Sequence, residues 1–112
     1  MQLLCNHKIT GFNVLFARNF FERAGGLIVH KKINATDAFL IKPCNSVHTL
    51  MMRYAIDVVY LDINNRILKI CSNMLPNRLS LCLRAKSVFE LNAGASTVLG
   101  LSVGDLLTLK KN

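Results

Sequence analysis

The chain has 112 residues, 52% hydrophobic and 18% charged, with 14 Lys and Arg against 6 Asp and Glu, a net charge of +8. That length suits one domain with one core and is short for two, and the composition is globular rather than disordered. No apolar run approaches the roughly 20 residues of a membrane helix, and Leu3-Leu4 is too short for the apolar core of an export signal. A cytoplasmic protein with no membrane span is therefore expected. The reading in chain order is one domain over residues 1–112, with its core at about 12–109 and short mobile ends.

Phe12–Ala17 is rich in Phe and Val and reads as a buried strand. Asn19 can cap a short helix, with Glu22 completing a capping box and Gly25-Gly26 stopping it. Phe20, Ala24 and Leu27 would face the core at helical spacing. Lys31–Asp37 is polar and connects to a short strand, Ala38–Ile41, ended by Pro43. Val47–Tyr54 is extended or irregular. The clearest hairpin joins Ile56–Ile63 to Arg66–Cys71 through Asn64-Asn65, residues that tolerate the positive φ of a two-residue type I′ turn. In that register Val59 faces Ile70, Leu61 faces Leu68, and Tyr60 faces Lys69.

Asn73–Cys82 reads as a loop around Pro76. Lys86–Leu91 is a further strand, Ala95–Leu99 about one helical turn closed by Gly100, and Leu106–Leu109 a last strand entered through Gly104-Asp105. Strands outnumber helices. The fold class is mainly β (α+β): a single compact barrel or sandwich-like domain with one or two short helices.

Several residues could carry chemistry. Asp57 shares a face with Val59, Leu61 and Ile63, and a carboxylate on an apolar stripe needs donors or a cation. Arg53 has the same strand parity and can reach it. His48 has the opposite parity, so only a bend near Tyr54-Ala55 would bring it to Asp57. Ser46 and His48 point to one side of an extended segment, but no Gly-x-Ser-x-Gly elbow accompanies them. Glu90 alternates with Val88 and is a second inward carboxylate. Asp105, after Gly104, fits a turn role.

Cys5, Cys44, Cys71 and Cys82 form no Cys-x-x-Cys pair, and without an export signal they are expected as reduced, largely buried thiols. The close pairs Cys5/His7 and Cys44/His48 match no zinc-finger spacing, so no metal site is expected. No Gly-rich loop opens a helix, so no dinucleotide or P-loop site is expected either. The cations are scattered, with only Lys31-Lys32 and Lys110-Lys111 adjacent. This reads as a solvated basic surface rather than a nucleic-acid footprint.

One resemblance spans nearly the whole domain. The run Pro43-Cys44-Asn45-Ser46-Val47-His48-Thr49, then Met52-Arg53, then Ile56-Asp57-Val58-Val59-Tyr60-Leu61-Asp62, closely resembles one branch of the domain-of-unknown-function family 192. Glu22–Leu27, Phe89–Gly94 and Leu99–Asp105 agree in order and spacing. The sequence departs from the branch at Ala55, where a proline is usual, and at Asn64-Asn65, where a glycine turn is usual. A tryptophan common near Pro76 is also missing. The resemblance implies a compact β-rich prokaryotic fold and no enzyme class, cofactor or ligand. It also implies a link to pilus assembly or secretion, since members of the branch neighbour such genes in some bacteria.

Three functions are carried forward. The first is a non-catalytic binding or accessory module, with His48, Arg53, Asp57, Ser46, Thr49 and Glu90 as ligand-binding candidates for a small polar ligand or a protein partner. The second is a small enzyme using Asp57, His48 or Glu90 in acid–base roles. The third is a weak nucleic-acid binder through the basic surface, the least favoured partner class. No cofactor is expected, and the sequence specifies no oligomeric state.

Overall fold

A computed structural model describes residues 1–16, 33–50 and 52–112 of the chain. In order these form β1 (Gln2–Cys5), β2 (Lys8–Phe16), β3 (Asp37–Ile41), β4 (Ser46–His48), β5 (Ile56–Leu61), β6 (Ile67–Met74), β7 (Leu79–Leu81), β8 (Ser87–Asn92), α1 (Ala95–Val98) and β9 (Leu107–Lys110). The helix expected from Asn19 to Gly25-Gly26 lies outside the described residues.

Two hairpins show how local chemistry sets the register. At the β1–β2 turn, Asn6 and His7 both take positive φ (50° and 69°) between the paired residues Cys5 and Lys8. This is the two-residue turn that the sequence suggests for Asn64-Asn65. At the β5–β6 hairpin only Asn65 has positive φ, at 65°. The Asn65 N–H donates to the Asp62 carbonyl (3.1 Å) and the Asp62 N–H to the Arg66 carbonyl (2.9 Å). Asp62 Oδ1 accepts from the N–H groups of Asn64 (2.8 Å) and Arg66 (3.0 Å). The loop is therefore three residues long with Asn65 as its bulge. Val59–Ile70 and Tyr60–Lys69 pair as expected, while the extra residue sets Leu61 against Ile67 instead of Leu68.

Seven strands form one sheet in the order β6-β5-β8-β3-β2-β1-β9, and β4 and β7 form a separate two-stranded ribbon. The sheet is mixed, because β2 and β3 run parallel and the other pairs antiparallel. Every residue of β5 is buried, as befits a strand covered on both faces. Val59 and Leu61 join Leu3, Phe12, Phe89 and Leu107 in the main core. Val58 and Tyr60 point the other way and pack with Val47, Met52 and Val88 in a second cluster under the ribbon.

The domain is mainly β as the sequence suggests, but of the two forms expected, barrel or sandwich-like, the sheet does not close into a barrel. Among the described residues its edges touch at one end only, through an Arg66–Leu106 bridge and bonds from the Ile67 N–H to the Asp105 carbonyl (2.9 Å) and the Leu107 N–H to the Asn65 carbonyl (3.0 Å). Farther along, β6 bulges at Ser72-Asn73 and turns toward α1, where Ser72 Oγ meets Ser96 Oγ at 3.3 Å. Two other expectations change. The loop expected over Asn73–Cys82 contains the end of β6 and all of β7; Asn73, at φ 52°, bends the strand without ending it. The core also starts before residue 12, since Gln2 pairs with both Asn13 and Lys110 and Leu3 is fully buried.

Candidate functional site

Asp57 has no solvent exposure, and the bulge explains what holds it. Two residues of β6, Ser72 and Asn73, lie opposite Asp57 where regular pairing would place one. Asn73 in the left-handed region aims its N–H at Asp57 Oδ1 (2.8 Å), which also accepts from the Gly94 N–H (3.2 Å). Oδ2 accepts from the N–H (2.9 Å) and hydroxyl (2.6 Å) of Ser96. The helix cap residue Gly94 has no side chain, so Asp57 satisfies the first turn of α1 from a distant strand. Desolvation alone would raise the carboxyl pKa, but the bonds from Asn73, Ser96 and Gly94 outweigh it, and Asp57 stays below its ordinary value. With both oxygens accepting from scaffold donors and no solvent exposure, this carboxylate has no face open to a substrate.

Thr49 is equally enclosed. Its hydroxyl donates to the Leu75 carbonyl (2.6 Å) and accepts from the Arg78 N–H (2.8 Å), and its own N–H donates to the Arg78 carbonyl (2.8 Å). This knot fixes the turn around Pro76 and aligns β7 with β4. Arg53 is exposed and makes no hydrogen bond to Asp57. The suggested Arg53–Asp57 pair is thus replaced by backbone donors, and His48, Arg53 and Asp57 do not gather around one carboxylate.

Ser46 and His48 lie together on β4, as parity suggests. Ser46 is opposite Leu81, Val47 opposite Ser80, and His48 opposite Leu79. Val47 and Ser80 are buried, so the other two pairs share the outward face. His48 is half-buried, and its Nδ1 is enclosed without a hydrogen-bond partner among the described residues. Leu79 and Leu81 are 78% and 51% exposed. The reading of 73–82 as a loop hid these leucines. The alternation Leu79-Ser80-Leu81-Cys82 is a strand signal, but Pro76 and Asn77 just before it are turn formers.

Glu90 lies on the sheet face away from Asp57, opposite Val58 on β5 and Phe39 on β3. It is 8% exposed, and desolvation pushes its carboxyl up to about 7. Burial, and then the nearby Glu90 charge, also raises the Tyr54 hydroxyl. Deeper under the ribbon, desolvation pushes the Tyr60 phenol up to about 12. Ser80 offsets part of that, yet its hydroxyl is engaged with Cys71 Sγ (3.2 Å) and the phenol completes no hydrogen bond among the described residues.

Cys44, Cys71 and Cys82 border this cluster as half-buried thiols, with Cys44 Sγ donating to the Ser46 carbonyl at 3.1 Å. Cys5, far off in β1, donates to Asp105 Oδ2 at 3.8 Å. No three His, Cys, Asp or Glu side chains among the described residues are grouped to hold a metal ion. No described helix is long and apolar enough to cross a membrane.

The fold and this region define a mainly β domain with a mixed, open seven-stranded sheet, a structural buried aspartate and a two-stranded ribbon bearing exposed leucines. The chain belongs to the domain-of-unknown-function family 192 (DUF192, Uncharacterized ACR), whose match covers residues 3–109. It is similar in structure to a protein of unknown function from Novosphingobium aromaticivorans DSM 12444. That match has a TM-score of 0.77 and 20% identity over 88% of this chain and 75% of the other. It is also similar to a protein from Sinorhizobium meliloti 1021 described as a "putative transcription regulator". There the TM-score is 0.76 and the identity 22%, over 87% of this chain and 81% of the other. At these identities the likeness is one of fold. A comparison with curated proteins gives no match.

Proposed function

We propose that the chain is a non-catalytic binding module that meets its partner through the outer face of the β4–β7 ribbon. One observation carries this reading. Leu79 and Leu81 stand exposed beside His48 and Ser46, so the family motif lies next to an apolar surface that water does not favour. In this reading Ser46 and His48 add polar contacts, Arg53 supplies charge nearby, and Asp57 and Thr49 hold the frame.

Acid–base chemistry is a second reading, supported by the Glu90 carboxyl lying near neutrality. Its near-complete burial on the sheet argues against substrate access. The descriptions of the family and of both similar structures name no enzymatic activity and no role in pilus assembly or secretion.

A photo-crosslinking side chain at Leu81 tests the first reading, with the same group at the exposed Val98 on α1 as the control. Crosslinking in cells to one protein or to lipid from position 81 and not from 98 is expected. Equal products from both positions, or none from 81, would overturn it.

A further inference from the structure

The leucine face has a second property that narrows its occupant. β7 ends in the turn Cys82–Ala85, closed by the Ala85 N–H on the Cys82 carbonyl at 2.9 Å, with Leu83 and Arg84 at its tip. Leu83 is 73% exposed. At the other end, the Thr49 knot holds the exposed Leu50 and Leu75 close to the ribbon. A strand advances about 3.3 Å per residue, so Leu79 and Leu81 stand about 7 Å apart on one face of β7, an aliphatic stripe that the exposed Leu83 follows at the turn tip.

The sequence flanking this stripe carries charge of one sign. Residues 38–56 and 63–89 contain no Asp or Glu. Lys42, Lys69, Arg78, Arg84 and Lys86 are all exposed within those segments. Arg78 and Arg84 bracket the leucines in sequence, and Lys69 reaches across to donate from Nζ to the Leu81 carbonyl at 3.1 Å.

Three classes of partner could answer a cationic surface. Single-stranded nucleic acid would call for aromatic platforms on which bases stack, and this stripe is aliphatic. An extended peptide would add to the free edge of β7 through backbone hydrogen bonds, but the Lys69 ammonium already occupies the Leu81 carbonyl on that edge. An anionic bilayer fits both features. Aliphatic side chains enter the boundary of the acyl region, while Lys and Arg stay level with the headgroup phosphates.

We infer that the Leu79–Leu81–Leu83 stripe and its rim of Lys and Arg form a peripheral docking surface for an anionic lipid bilayer. This rests on the reading of the ribbon as the binding face and names what it binds. The protein attaches without spanning, leucines down, with the main sheet held above the headgroups.

Co-sedimentation with vesicles tests this, using phosphatidylcholine alone and phosphatidylcholine mixed with phosphatidylglycerol. The intact chain is expected to sediment with the mixed vesicles and not with the neutral ones, and to be released by high salt. Arg84→Gln and Lys86→Gln should each weaken binding about fivefold, the scale of one basic residue at an anionic surface. Leu81→Ser with Leu83→Ser should weaken it on the order of tenfold or more through lost apolar insertion. These side chains are exposed, so thermal melting of every variant should match the parent and separate binding from folding.

Equal binding to both vesicle types, or full binding by the double leucine variant, would overturn the inference. No vesicle binding, with a protein still crosslinked from position 81, would overturn it too and leave the binding-module reading standing.

Discussion

Burial strips a carboxylate of water, and the chain resolves this in two ways on neighbouring strands. Asp57 keeps its charge by collecting three backbone N–H groups and one hydroxyl. Glu90, shifted by desolvation alone, holds its proton up to about 7. The two shifts have opposite consequences for stability. Asp57 has a folded pKa below its ordinary 3.8, so its contribution is present above 3.8 and fades as pH falls through the folded value. Glu90 has a folded pKa above its ordinary 4.5, so its contribution is full below 4.5 and is lost as pH rises toward about 7. The loss over that interval is about 3 kcal/mol. Urea unfolding midpoints across the acid-to-neutral range should therefore fall on both sides of an acidic optimum. Glu90→Gln should abolish the decline between pH 4.5 and about 7 and leave the variant more stable than the parent above neutrality. An unchanged decline would place its origin elsewhere. The need of Asp57 for partners was legible from its place on an apolar stripe. Their identity was not, because Asn73, Gly94 and Ser96 reach it through a bulge and a glycine cap far along the chain.

Among the elements, β5, β6 and β8, the turn at α1 and the last strand were legible, because short apolar runs bounded by Gly or Asn leave few alternatives. The errors fell where a turn former does not end its strand or sits in another turn type. Asn64-Asn65 permits a two-residue turn, but the Asp62 carboxylate accepts two N–H groups in the loop and favours three residues with only Asn65 left-handed. The two geometries differ in a measurable way. Asn65→Ala should cost about 1 kcal/mol, since alanine pays the steric penalty of positive φ. Asn64→Ala should stay within about 0.5 kcal/mol, as for an ordinary exposed site. Equal losses at both positions by chemical denaturation would favour the two-residue turn. The same logic hid β7, where Pro76 and Asn77 outweighed a short Leu-Ser-Leu alternation, and with it went the leucine face of the candidate site.

At the scale of the molecule, strand order is what local patterns carry least. Nothing in the run Gln2-Leu3-Leu4-Cys5 announces that it lies between β2 and β9, because its β9 partners are about a hundred residues away and strand pairing has no sequence code comparable to helical periodicity. A short apolar run at a chain end reads as fraying by default. The sheet gives it another role: β1 is the sheet neighbour of β9, and Leu3 is fully buried beside Phe12 and Leu107 in the main core. Leu3→Ala should therefore lower the unfolding free energy by about 2–5 kcal/mol, the range for a buried leucine whose cavity does not collapse. Lys111→Ala, exposed just past β9, should shift it by less than about 0.5 kcal/mol. Urea titration of the two variants beside the parent decides the matter. A Leu3 variant as stable as the parent would mean that the sheet ends at β2 in solution, that β9 lacks its partner, and that the core begins near Phe12 as the sequence alone suggests.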